Sequence, residues 1–299
     1  MIKIVEVGPR DGLQNEKRIL STEDKFAFIN KLVDAGLKTV EVTSFVKPPA
    51  IPQMSDSSEL FQKVSVHLKD KANFPCLVPN VKGYETAKSI GVKEIALFSA
   101  TSNSFTQKNI NATVDESFLR MKEVADLAKK DGIRMRGYIS TAFGCPYEGL
   151  MGVDKLIDVA RRFLDLGVYE ISVGDTIGVA TPRQVSSYLK DLIPEVEVSK
   201  LAMHFHDTRG MALSNILVSL EQNISVFDSS AGGIGGCPYA KGATGNVATE
   251  DVWYLLQSQG LKTGIDFEKL VGASTFILEK LEKKTESKFL RAYLNTGRI

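Results

Sequence analysis

Several absences narrow this 299-residue sequence before any motif is considered. Net charge is nearly absent: 37 lysines and arginines against 36 aspartates and glutamates leave +1. That balance gives no reason to expect nucleic acid or a membrane surface as partner, although a local basic pocket for an anionic small molecule stays open. No apolar run approaches the ~20 residues needed to span a bilayer. Cysteine is scarce, and Cys76, Cys145 and Cys237 are odd in number and far apart. They form no disulfide framework, so a reducing, cytoplasmic setting is expected. The opening stretch lacks the long apolar segment and small-residue cleavage site of a signal peptide and reads as a strand. No polar linker or low-complexity tract marks a boundary. With 43% hydrophobic residues the chain can bury a large core.

What is present is a repeat of short apolar, β-branched runs alternating with amphipathic stretches. Strands are expected over 2–7, 39–43, 74–78, 94–98, 134–139, 169–173, 201–205 and 224–228. Helices between them are expected over 22–35, 84–89, 115–130, 154–165, 182–192 and 213–222. Gly36, Gly91, Gly132 and Gly167 each stand just before a strand, where a left-handed cap ends a helix. Eight such units read as α/β, a (β/α)8 TIM barrel. A single catalytic domain over 1–299 is expected, with the barrel over about 1–260 and a helical extension over about 261–299.

A barrel collects its chemistry at the C-terminal ends of its strands. Here those ends carry Gly-Pro-Arg-Asp-Gly (8–12), Gly-Asp-Thr (174–176), His-Phe-His-Asp (204–207) and a loop with six glycines from Gly232 to Gly245. His204 and His206 are separated by one residue, so strand alternation points both the same way, as a metal clamp would require. His67, the third histidine, sits on a polar helix and reads as solvated. Asp11 ends the first strand, a neighbour of the eighth after closure, and Asn246 follows the glycine loop. Two nitrogens and two oxygens without thiolate favour Mg²⁺ or Mn²⁺. Arg10 would extend beside that ion, held by a carboxylate such as Glu41 or Asp175. Glycine at this density costs backbone entropy and is taken to mark positive φ angles, mobility or close approach to a ligand rather than packing, with Cys237 delivered as a thiol. Lys241-Gly242 is in the wrong order for a phosphate loop.

Together, the segments 8–16, 41–45, 174–178, 204–208 and above all Gly-Gly-Cys-Pro-Tyr-Ala-Lys-Gly-Ala-Thr-Gly-Asn (235–246) resemble hydroxymethylglutaryl-CoA lyases, over nearly the whole chain. The resemblance implies cleavage of 3-hydroxy-3-methylglutaryl-CoA to acetyl-CoA and acetoacetate. It implies Asp11, His204, His206 and Asn246 as metal ligands, Arg10 as substrate contact and Cys237 as catalytic thiol. Glu41 and Asp175 would support the site. The hydroxyl proton would pass to Asp175 or His204, a choice that spacing leaves open. Alternatives are a related metal-dependent aldolase or acyl-CoA condensing enzyme, or an acyl-binding barrel without turnover. A homodimer is expected on general grounds. Lys17 and the 99–104 loop are candidates for contacting CoA.

Overall fold

In the computed structural model, which describes residues 2–47, 51–236 and 245–297, eight parallel strands form one sheet. They are β1 (Lys3–Glu6), β2 (Thr43–Ser44), β3 (Cys76–Leu77), β4 (Glu94–Ala100), β5 (Arg134–Ser140), β6 (Glu170–Asp175), β7 (Leu201–Phe205) and β8 (Val226–Ser229). The sheet runs β1-β8-β7-β6-β5-β4-β3-β2. Glu6 N donates to Thr39 O at 3.0 Å and Glu41 N to Glu6 O at 2.9 Å, which closes the first strand onto the second. The expected (β/α)8 barrel is therefore present.

The second run departs from expectation. Continuous pairing is confined to Thr43–Ser44, while Thr39 and Val40 make single bridges to Asn73 and Glu6. This segment must serve two neighbours as the barrel shuts, and a regular ladder does not extend along all of it. Glycine caps behave as expected, with φ +100° at Gly36 and +67° at Gly132. At Gly36 a side chain is impossible as well as strained, since a Cβ would lie 2.5 Å from Gly264 O.

Side chains cap several of the helix starts: Thr113 and Glu116 form a reciprocal box ahead of Val114–Asp131. Ser102 caps a helix over Asn103–Ile110, whose first residues fall within the expected 99–104 loop. There the Ser99 hydroxyl meets Ser117 and the Ser102 hydroxyl donates to Glu148 at 2.6 Å, so neither is free for a CoA.

The main core lies between the sheet and the helical ring, with Phe28, Leu32, Val40, Phe163 and Leu201 all buried. Truncating such a residue as Phe28 costs about 3–5 kcal/mol. Beyond the barrel, helices Phe267–Leu281 and Lys288–Thr296 pack on its outside. Asp251 anchors the second by accepting from Ser287 Oγ at 2.7 Å and Phe289 N at 2.8 Å.

Candidate active site

After β1 the chain makes one wide π-helical turn, Gly8–Gly12, where a plain loop was expected. The Gly12 amide donates to Val7 O at 3.1 Å, and this turn brings Arg10 and Asp11 to the barrel mouth. Glu6, fully buried, supports it from below by accepting from Gly8 N at 2.8 Å and Ala231 N at 3.0 Å. One carboxylate thus ties the first site segment to the foot of the glycine loop. Burial pushes its pKa to about 8. Glu6 was not among the expected site residues; its signal was an acid between Val5 and Val7 at the C-terminal end of the first strand.

His204 and His206 project together from the end of β7, with ring centroids 5.3 Å apart. Asn246 joins them because the returning end of the glycine loop is stitched to this strand. Val247 N donates to Phe205 O at 2.9 Å, and Asp207 N to Gly245 O at 3.2 Å. One ligand atom each from Asp11, His204 and His206 lie within 4.8 Å of one another. The Asn246 amide donates to Asp11 Oδ2 at 2.9 Å, and Asn246 Oδ1 is buried with no hydrogen-bond partner among the described residues. A buried orphan oxygen beside a carboxylate and two imidazoles fits a hard or borderline divalent cation. Asn246 is thus a neighbour of the three clustered side chains through Asp11 and His206.

Arg10 is fixed from two sides. Its Nε donates to Glu41 Oε2 at 2.8 Å and its Nη1 to Asp11 Oδ1 at 2.7 Å. Burial opposes the charge on Asp11, but Arg10 and the two imidazoles outweigh it and hold the carboxyl below its ordinary range. Glu41 behaves oppositely, burial raising its pKa despite Arg10, and its Oε1 has no hydrogen-bond partner among the described residues. Asp175 turns elsewhere: its two oxygens accept from Val179 N at 2.9 Å and Ala180 N at 3.0 Å. Of its strand end, Gly174 and Thr176 line the cavity, not Asp175.

That cavity holds about 350 Å³ and runs from Arg10, Asp11, His204 and His206 to an apolar flank of Val46 and Phe105. The glycines around it correct one expectation, because packing does explain several of them. A Cβ on Gly235 would lie 2.5 Å from Asn246 Nδ2, and one on Gly245 would lie 2.3 Å from Gly233 O. Gly232, Gly233 and Gly235 also take positive φ. Cys237 lies outside the described residues. His67 is exposed at the end of its helix, as expected.

Residues 1–277 match the family described as HMGL-like. The mitochondrial hydroxymethylglutaryl-CoA lyase of Homo sapiens is 48% identical over 291 residues, 97% of this chain and 89% of that protein. This chain belongs to the hydroxymethylglutaryl-CoA lyase family. Among solved structures, the hydroxymethylglutaryl-CoA lyase from Pseudomonas aeruginosa superposes with a TM-score of 0.95 at 46% identity, covering 98% of this chain and 97% of that one. Another solved structure is that of an HMG-CoA lyase from Acenitobacter baumannii in complex with coenzyme A and 3-methylmalate. It covers 100% of this chain and 95% of its own, with a TM-score of 0.93 and 33% identity.

Proposed function

We propose that this protein cleaves 3-hydroxy-3-methylglutaryl-CoA to acetyl-CoA and acetoacetate, a reading supported by relatives named hydroxymethylglutaryl-CoA lyase. One observation supports the reading: ligand atoms of Asp11, His204 and His206 lie within 4.8 Å of one another, with the Asn246 amide on Asp11 and Arg10 clamped beside them. A divalent ion held there would supply a Lewis acid that acidifies a substrate hydroxyl and orients a neighbouring carboxylate. The mixed nitrogen and oxygen donor set favours Mg²⁺ or Mn²⁺.

Arg10 faces the cavity with its guanidinium immobilised by Glu41 and Asp11. It needs no reorganisation to meet negative charge growing on the thioester as the carbon–carbon bond breaks, a task worth about 3–4 kcal/mol. The arginine is also stacked over Tyr138, 5.4 Å from the ring centroid, which limits its swing. The nascent enolate then needs a proton, and Cys237 on the glycine loop is the donor in this proposal. Glu41 positions Arg10, while Asp175 braces the turn after β6. The substrate is an acyl-CoA small molecule; a homodimer and a cytoplasmic setting belong to the same proposal, in keeping with the free, buried thiols of Cys76 and Cys145.

The test is acetoacetate release by the purified protein with and without chelator. Release that stops on chelation and returns with Mg²⁺ or Mn²⁺ is the expected result. Cys237→Ala should lose most cleavage while binding Mn²⁺ as before; near-normal turnover in that variant would remove the thiol from the scheme.

A further inference from the structure

The barrel interior holds a chain of charges that the site description has not used. Lys3 Nζ lies 3.0 Å from Glu170 Oε2, and Glu170 Oε1 accepts from Arg136 Nε at 2.7 Å. Arg136, wholly buried, turns its other two nitrogens onto Asp228, Nη2 to Oδ1 at 2.7 Å and Nη1 to Oδ2 at 3.1 Å. Asp228 Oδ2 also accepts from Ser172 Oγ at 2.7 Å and lies 3.3 Å from His204 Nδ1. The series ends on an imidazole at the barrel mouth.

The position of Asp228 is strongly determined. It is the register partner of His204 across the β8–β7 ladder, so both side chains leave the sheet on the same face. On the other side of His204 the register partner is Gly174, which has no side chain to compete for the ring. The two-pronged grip of Arg136 fixes the plane of the carboxylate. Both oxygens of Asp228 already accept, Oδ1 and Oδ2 from the Arg136 fork and Oδ2 from Ser172 Oγ as well, so the group faces the imidazole as an acceptor. A histidine facing such a group must turn a protonated nitrogen toward it. The proton then sits on Nδ1, and Nε2 carries the free lone pair.

We propose that Asp228 is a positioning residue that holds His204 in its Nδ1–H form, presenting Nε2 as a ready-made metal ligand, with Arg136 holding Asp228 in place. This rests on the reading of His204 as a ligand given above. It also bears on the open proton relay: with Nδ1 tied to Asp228 and Nε2 committed to a cation, His204 has no lone pair left to take up the substrate hydroxyl proton.

The direct test needs no mutation of Asp228. In metal-free protein carrying ¹⁵N-labelled histidine, at a pH where the ring is neutral, only three imidazoles contribute, and His204→Asn identifies the relevant signals. A protonated Nδ1 and a bare Nε2 are expected; a protonated Nε2 overturns the proposal. Mn²⁺ titration of Asp228→Asn is the second arm. A single amide oxygen cannot serve both the Arg136 fork and the imidazole as a charged acceptor, and affinity should fall by about 10- to 100-fold. Glu170→Gln, which disturbs the same network without touching His204, should leave both the ring signals and Mn²⁺ affinity unchanged. Equal loss in Glu170→Gln and Asp228→Asn would reduce Asp228 to a structural part and overturn the proposal. A wild-type protein that binds no Mn²⁺ would defeat the metal centre, whereas the metal-free ring signals would still decide the role of Asp228.

Discussion

Two strand ends of this barrel look alike in sequence and do opposite things. After β1 the chain reads Gly-Pro-Arg-Asp-Gly, and at the end of β6 it reads Gly-Asp-Thr-Ile-Gly. Each places an aspartate among glycines at the mouth. Asp11 is surrounded by Arg10, His204 and His206, which keep it charged and below its usual pKa. Asp175 is buried against its own turn, accepts from two backbone amides, and is pushed up to about 6 by burial. The difference lies in where the local N–H groups go. The turn after β1 satisfies its amides through Val7 O and the Glu6 carboxylate beneath it, and leaves Asp11 facing the cavity. The turn after β6 uses its acid to close itself.

This contrast can be broken at several points. The largest effect is expected at Asp11: Asp11→Asn should abolish tight Mn²⁺ binding and lower acetoacetate release by about three powers of ten, corresponding to several kcal/mol of lost charge stabilisation. Retained metal binding would make the β1 end no different in kind from the β6 end. Next comes Arg10→Met, expected to cost about 10²- to 10³-fold in kcat with smaller change in metal affinity, since its part is to meet charge in the transition state. Separate titration and turnover measurements distinguish the two.

Asp175→Asn should act on stability rather than metal affinity, lowering it by about 1–3 kcal/mol as one of two buried amides loses its acceptor. A stable variant with no turnover would instead put Asp175 into proton transfer. The smallest effect is its pH dependence. The folded-state value near 6 exceeds the ordinary 3.8, so the folded chain holds this proton more tightly than the unfolded one. Its contribution is full below 3.8 and is lost as pH rises through 6. Melting temperatures from pH 4 to 7 should therefore show the wild type losing ground relative to Asp175→Asn as pH increases.

The glycine loop shows how far local reasoning carries. Its composition correctly marks a special segment, since Gly232, Gly233 and Gly235 all require positive φ. The cause assigned to that composition was incomplete, because Gly235 and Gly245 are also small so that the two stems of the loop can press against Asn246 and Gly233. Close approach between residues distant in sequence leaves no periodic trace. Asp228 and Arg136 were overlooked for a similar reason: a charge inside a strand run reads as an interruption until its partner on another strand is known.

Strand alternation is a property of the backbone alone, and it was enough to place His204 and His206 on one face and to recognise a barrel from eight repeated units. It also located Arg10 and Asp11 at a strand end, where this fold does its chemistry. Closure of the sheet decided the rest. It brought Asn246 beside His206 through pairing of the loop stem with β7, set Asp228 opposite His204, and let Asp175 be satisfied by Val179 and Ala180. A carboxylate takes its role from the donors and charges that reach it, and most of those arrive from distant parts of the chain.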